Sequence, residues 1–68
     1  MNNVTVKDGR TLVILEEKPS TASYLKVVLA KWGSEYVTWI YNESFNGFSN
    51  GHYYTDLLSA VNDYSARE

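Results

Sequence analysis

The sequence predicts an α+β protein: an antiparallel β-meander of four to five strands with one C-terminal α-helix packed on one face. Three observations predict it. Runs rich in β-branched and aromatic residues recur from Asn3 to Tyr54. Short breaks containing glycine, asparagine, serine or proline separate them, as hairpin turns do. After Thr55 the apolar period changes, and Leu57, Ala60, Val61 and Tyr64 recur at helical spacing. The 68 residues form one expected domain. A chain of this size buries only ~60% of the surface its unfolded form exposes, so its stability margin is small.

The first element is a hairpin. Asn3 to Lys7 alternates valine with polar residues, Asp8-Gly9 follows, and Arg10 to Lys18 runs back. A two-residue Asp-Gly loop suits a type I′ turn, which needs positive φ at both central positions. The second strand is apolar on both sides in its middle, Leu12 and Ile14 pointing one way and Val13 and Leu15 the other. Such continuity predicts a central or doubly covered strand. Pro19 to Ser23 is a break, because proline cannot donate to a ladder and the hydroxyls compete for backbone hydrogen bonds.

Tyr24 to Trp32 fits two templates. Leu25, Val28, Leu29 and Trp32 have helical spacing, whereas Leu25, Val27 and Leu29 share one face of a strand. Tyr24, Val27 and Val28 favour strand, and Gly33-Ser34 reads as a hairpin turn into the next run, so strand is the preferred reading. Glu35 to Asn42 is the clearest strand, with Tyr, Val, Thr, Trp, Ile and Tyr in succession. Asn42 to Gly47 turns the chain, and Asn46-Gly47 and Asn50-Gly51 both resemble tight turns. Phe48 to Tyr54 returns as an irregular strand, with Gly51 marking a gap or a bulge. Thr55 is the expected helix cap, with Asp56 at the positive end of the dipole. Ser59, Asn62, Asp63 and Arg67 are expected off the apolar face.

One helix of about three turns covers only one face of such a sheet. The expected partners of the helix are Val13, Leu15, Leu25, Val27, Leu29, Val37, Trp39 and Tyr41. The other face then carries Leu12, Ile14, Tyr24, Val28, Tyr36 and Ile40, an apolar set too large to leave in water without consequence. An interface, most simply a homodimer, is therefore expected there. The bland alternative is that sheet twist and the stems of Lys26 and Lys31 cover it.

Composition excludes several chemistries. With no cysteine there is neither a disulfide nor a thiolate metal site. The net charge is −2, and Lys7, Arg10, Lys18, Lys26, Lys31 and Arg67 are scattered rather than clustered. A nucleic-acid partner is thus not expected, although aromatic residues on a sheet are what single-strand binders stack bases on. The eight carboxylates are too dispersed for a mimic of nucleic acid. The first residues lack the basic-then-apolar order of a signal peptide, and no run approaches 18 apolar residues. A soluble cytoplasmic protein without a membrane partner is the expectation. His52 precedes Asp56 by four residues, a pairing that suits general-base work, but no nucleophile motif accompanies it. One histidine does not build a zinc site, the glycines show no phosphate-binding pattern, and no cofactor or catalytic residue is expected. A histidine ending a strand beside aromatics reads first as a hydrogen-bonded structural residue.

Candidate partner-binding residues follow from the faces and the turn. They are Tyr24, Tyr36 and Ile40 on the face expected to be uncovered, and Phe45 and Phe48 flanking Asn46-Gly47. Those two phenylalanines either pack on each other or form an exposed aromatic tip that anchors a partner.

The segments Tyr36-Val37-Thr38-Trp39, Gly47-Phe48 and Gly51-His52-Tyr53-Tyr54, followed by a helix carrying Leu58, Ala60, Tyr64 and Arg67, resemble small uncharacterised proteins of Gram-positive bacteria and their phages or mobile elements. The resemblance covers the C-terminal half, and the N-terminal hairpin has no counterpart in it. It implies a small protein that acts by binding a host protein. The expected function is a non-enzymatic protein-interaction module, binding a partner or itself. A single-stranded nucleic-acid-binding module is the alternative.

Overall fold

The computed structural model describes residues 4–67. Five strands run in order: β1 (Val4–Lys7), β2 (Arg10–Pro19), β3 (Leu25–Trp32), β4 (Glu35–Asn42) and β5 (Gly47–Tyr54). Helix α1 (Leu57–Ala66) follows. Each strand pairs antiparallel with its sequence neighbour, so the sheet is a simple meander with β1 and β5 at its edges. The segment that also fits a helix is the central strand β3, with Val27 to Ala30 all buried. Burial on both faces of a middle strand produces the near-continuous apolar run that periodicity leaves ambiguous.

The turns set the register. Asp8 and Gly9 have φ of 50° and 76°, the type I′ geometry, and Lys7 pairs with Arg10. Gly33 has φ of 62°, and Trp32 pairs with Glu35 across a two-residue loop. Pro19 belongs to β2 as its last residue, opposite Lys26, so the break begins after it. Asn50-Gly51 is not a turn. It lies within β5, where Asn50 has φ of 53° and the pairing with β4 shifts between Thr38 and Ile40. A second shift lies between Ile14 and Glu16, where Leu15 is the extra residue of β2. Such bulges bend and twist a sheet.

The sheet curls hard as a result. Neighbouring strands lie ~4.8 Å apart, so β1 and β5 of a flat sheet would be ~19 Å apart. Yet Lys7 Nζ of β1 stands 5.8 Å from the Phe48 ring of β5. The Trp32 indole N–H also donates to the Lys7 carbonyl at 2.9 Å. The face carrying Lys7, Trp32 and Phe48 is therefore the concave one. It holds the main core: Leu12, Val28, Ala30, Val37 and Trp39 are buried, with Ile14, Trp32, Tyr41 and Phe48 packed against them. Trp39 lies at the centre, 4.6 Å from Phe48 and 5.6 Å from Trp32 between ring centroids. Each such pair adds about 0.5–1.5 kcal/mol beyond area burial.

Helix α1 lies on the opposite, convex face, which corrects the expected arrangement. Val27 and Leu29 do face it, but β4 turns Thr38, not Val37, Trp39 and Tyr41, toward the helix. The register is the reason: Leu29 pairs with Thr38 and Val27 with Ile40, and directly opposed residues share a face. Tyr36 and Ile40 are thus on the helix side and half-buried, rather than on an uncovered face. The helix cap is Asp56, whose carboxylate accepts from the Ser59 backbone N–H at 2.8 Å; Thr55 lies outside the helix. Ala60 is fully buried against the sheet. Asp63 and Arg67 also turn inward, and their side chains are only 19% and 13% exposed. A purely apolar contact face therefore does not describe this helix.

Candidate functional site

Two places gather chemistry. The first is the seam between α1 and the sheet. The Thr38 hydroxyl donates to Asp63 Oδ2 and accepts from Arg67 Nη1 at 2.9 Å. Arg67 Nη1 also donates to the Thr38 carbonyl at 3.2 Å. His52 Nδ1 lies 2.9 Å from the same Asp63 oxygen. His52 therefore pairs with Asp63 and not with Asp56, which is occupied as the cap. Burial by itself would raise the Asp63 carboxyl, but hydrogen bonds from Thr38 and His52, with the charges of His52 and Arg67, hold it below the usual range. Thr38 is the fully buried polar residue of the chain's described part, and its hydroxyl is engaged both as donor and as acceptor. The cluster fastens the helix to the sheet.

The second place is a groove of about 360 Å³ at the open end of the concave face. Leu12, Ile14 and Thr5 form one wall, from the β1–β2 hairpin; Tyr41, Asn46 and Phe48 form the other, from the β4–β5 hairpin; Val28 is the floor. Each element supplies these residues by strand alternation, since Thr5 pairs with Leu12, Ile14 with Ala30 and Tyr41 with Phe48. The Leu15 bulge then reverses the faces of β2, so that Glu17 turns into the groove beside Lys26. Lys26 Nζ sits 3.0 Å from Glu17 Oε1 and 3.1 Å from Glu43 Oε2. Those hydrogen bonds, Glu17's first, raise its pKa. Across the mouth the Tyr41 hydroxyl donates to Asn46 Oδ1 at 2.8 Å, and Asn46 holds a left-handed φ of 52°. The mouth is thus an apolar slot closed at one end by two carboxylates sharing one ammonium.

The five residues expected at a partner surface are separated by the fold. Phe48 alone lines the groove, its ring packed at a tilt against Trp39 and Tyr41. Phe45 is 81% exposed at the tip of the β4–β5 turn, beside Asn46. The two phenylalanines therefore point apart rather than packing on each other. Tyr24 is 49% exposed in the β2–β3 connection, where its carbonyl accepts from the Glu43 N–H at 2.9 Å. Tyr36 and Ile40 are on the helix side. Leu12, Ile14 and Val28 lie on the face away from the helix, as expected from sequence, and line the groove; the groove residues missed from sequence are Thr5, Glu17, Lys26, Tyr41 and Asn46. Strand parity carried a signal for Tyr41; Glu17 depended on a bulge.

The fold and groove define a class: a small α+β protein with a curled five-strand meander, one helix on its convex side and an apolar groove on its concave side. Comparison with protein-family models, with curated proteins and with solved structures finds no match for the chain. No helix among the described residues is long and apolar enough to cross a membrane.

Proposed function

We propose that this chain is a small, non-enzymatic protein-interaction module, acting in the cytoplasm, that binds a protein partner or a second copy through the concave groove and the aromatic turn beside it. The groove carries the reading. It is the part of the concave core that the curl of the sheet leaves open, between two hairpins, with an exposed Phe45 next to its rim. Aromatic residues beside a concave apolar slot are the usual anchors of an interface. A host protein as the partner is part of the same proposal. Binding of single-stranded nucleic acid is the weaker reading, because the stackable rings Trp39 and Phe48 are largely packed on each other and Glu17 and Glu43 stand at the mouth.

Affinity capture from the native host, with wild type and Phe45→Ala side by side at low and high salt, tests this. A protein retained at high salt by wild type and lost by the variant is the expected result. A ligand released steeply by salt and sensitive to nuclease would instead identify nucleic acid and sink the reading.

A further inference from the structure

We infer that the groove takes an extended segment of a protein partner, laid along β1 as a sixth strand, with a bulky apolar side chain in the slot and a lysine or arginine at the Glu17–Glu43 end. The inference rests on the interaction-module reading above and names the partner's chemistry.

Three observations converge on it. The first is the free edge. Among the described residues β1 is terminal in the sheet and pairs on one side only. The Asp8-Gly9 turn makes Lys7 and Arg10 a hydrogen-bonded pair, and bonded pairs alternate with non-bonded ones along an antiparallel ladder. Thr5–Leu12 is then the next bonded pair. Val6 falls between them and Val4 just beyond Thr5, both in non-bonded pairs, so their N–H and C=O groups point away from β2. A strand edge presented in this way is a template for β-augmentation.

The second is the slot beneath that edge. Thr5, the residue between the two valines, lines the groove, and Phe48 and Asn46 form the wall facing it. A strand added along β1 would lie between these walls. Alternate side chains of that strand face the concave side, over Leu12, Ile14 and Val28. The others lie on the convex side beside Val4 and Val6, which are 54% and 70% exposed and which α1 does not cover.

The third is charge. Glu17 and Glu43 flank Lys26, so two carboxylates face one ammonium and the end of the groove is net negative by one. Both carboxylates keep about half their side-chain surface, at 51% and 45%, and are open to a second cation. At the other end Lys7 lies over Phe48 and is paired with Asp8. Only the Glu17–Glu43 end asks for a positive charge.

The test uses a ribosome-displayed library of random peptides selected on the full chain. Enriched peptides are then measured by fluorescence anisotropy against wild type, Val6→Pro and Glu17→Lys. Proline at this position removes an outward N–H while leaving the bonds to β2, and both sites are exposed, so circular dichroism should show both variants folded. The expected result is peptides alternating apolar and polar residues with a terminal Lys or Arg, bound at least ~10-fold more weakly by each variant. Selection that enriches nothing, or peptides that both variants bind as tightly as wild type does, overturns the inference. If a captured host protein depends on Phe45 but ignores Val6→Pro and Glu17→Lys, the strand inference falls and the module reading stands. If no partner depends on Phe45 either, both fall. A wild-type dimer in sedimentation that Val6→Pro dissolves assigns the edge to a second copy, and that also overturns it.

Discussion

Thr38 of the central sheet and Asp63 of the helix share a hydrogen bond in which the hydroxyl donates and the carboxylate accepts. It is the hub by which the one helix is registered on the sheet, because Arg67 and His52 converge on the same two residues. Replacing Thr38 by valine keeps the shape and removes the hydroxyl. Asp63 then loses its buried donor and Arg67 one acceptor. We expect Thr38→Val to cost about 1–3 kcal/mol in urea unfolding. Equal midpoints for variant and wild type would show that the bond contributes nothing.

The same pair gives the protein an acid limb. The folded Asp63 pKa is lowered, so the group binds its proton less readily folded than unfolded. Its contribution is fully present above the unfolded carboxylate value and is lost as pH falls through the lowered folded value. Stability should therefore drop on acidification below about pH 4. Asp63→Asn should be less stable than wild type at neutral pH and show a shallower drop. The capping Asp56, also lowered by its bonds to Ser59, leaves a residual acid dependence in that variant.

Trp39 is 3% exposed at the centre of the concave aromatic cluster. Trp39→Ala should cost ~3 kcal/mol or more, enough to unfold a domain this small. Loss of the cooperative thermal transition is the readout. A folded Trp39→Ala variant with an intact transition would mean the concave face is not the core.

The helix start is a sharper test of the cap. Asp56→Ala should cost ~1 kcal/mol, because the Ser59 N–H loses its acceptor. Thr55→Ala should be nearly neutral in the same chemical denaturation, since Thr55 lies outside the helix and is exposed.

The two hairpin glycines should differ. Alanine at Gly9 meets nothing within 4 Å and suffers only the strain of φ +76°. At Gly33 the added carbon would fall 2.7 Å from Arg10 Nε, on top of the strain of φ +62°. Arg10 stacks 4.0 Å over Trp32 and bonds Glu35 at 2.8 Å, so displacing it loosens the lock between the two hairpins. Gly9→Ala should cost ~1 kcal/mol and Gly33→Ala visibly more. Matching thermal midpoints for the two variants would contradict this.

The sequence by itself determined the meander, the two hairpin turns and the terminal helix. Asp8-Gly9 and Gly33-Ser34 state their turn geometry locally, and the Tyr36–Tyr41 run has no competing period. The pairing of faces across β3 and β4 was also legible. A two-residue turn sets an odd-numbered residue opposite an even-numbered one, so Leu29 had to share a face with Thr38 rather than Val37 or Trp39. Only the tertiary structure decided which face the helix takes, because both carry apolar residues and composition does not rank them. Tertiary packing gave the larger aromatic set to the concave side, where curvature lets Trp32, Trp39 and Phe48 cover one another. The smaller convex set, with Thr38 at its centre, was left to Ala60, Asp63 and Arg67. The groove belongs to that same decision. It exists because two bulges, at Leu15 and at Asn50-Gly51, curl the sheet and turn Glu17 inward, and a bulge depends on neighbours across the ladder rather than on the local run of residues.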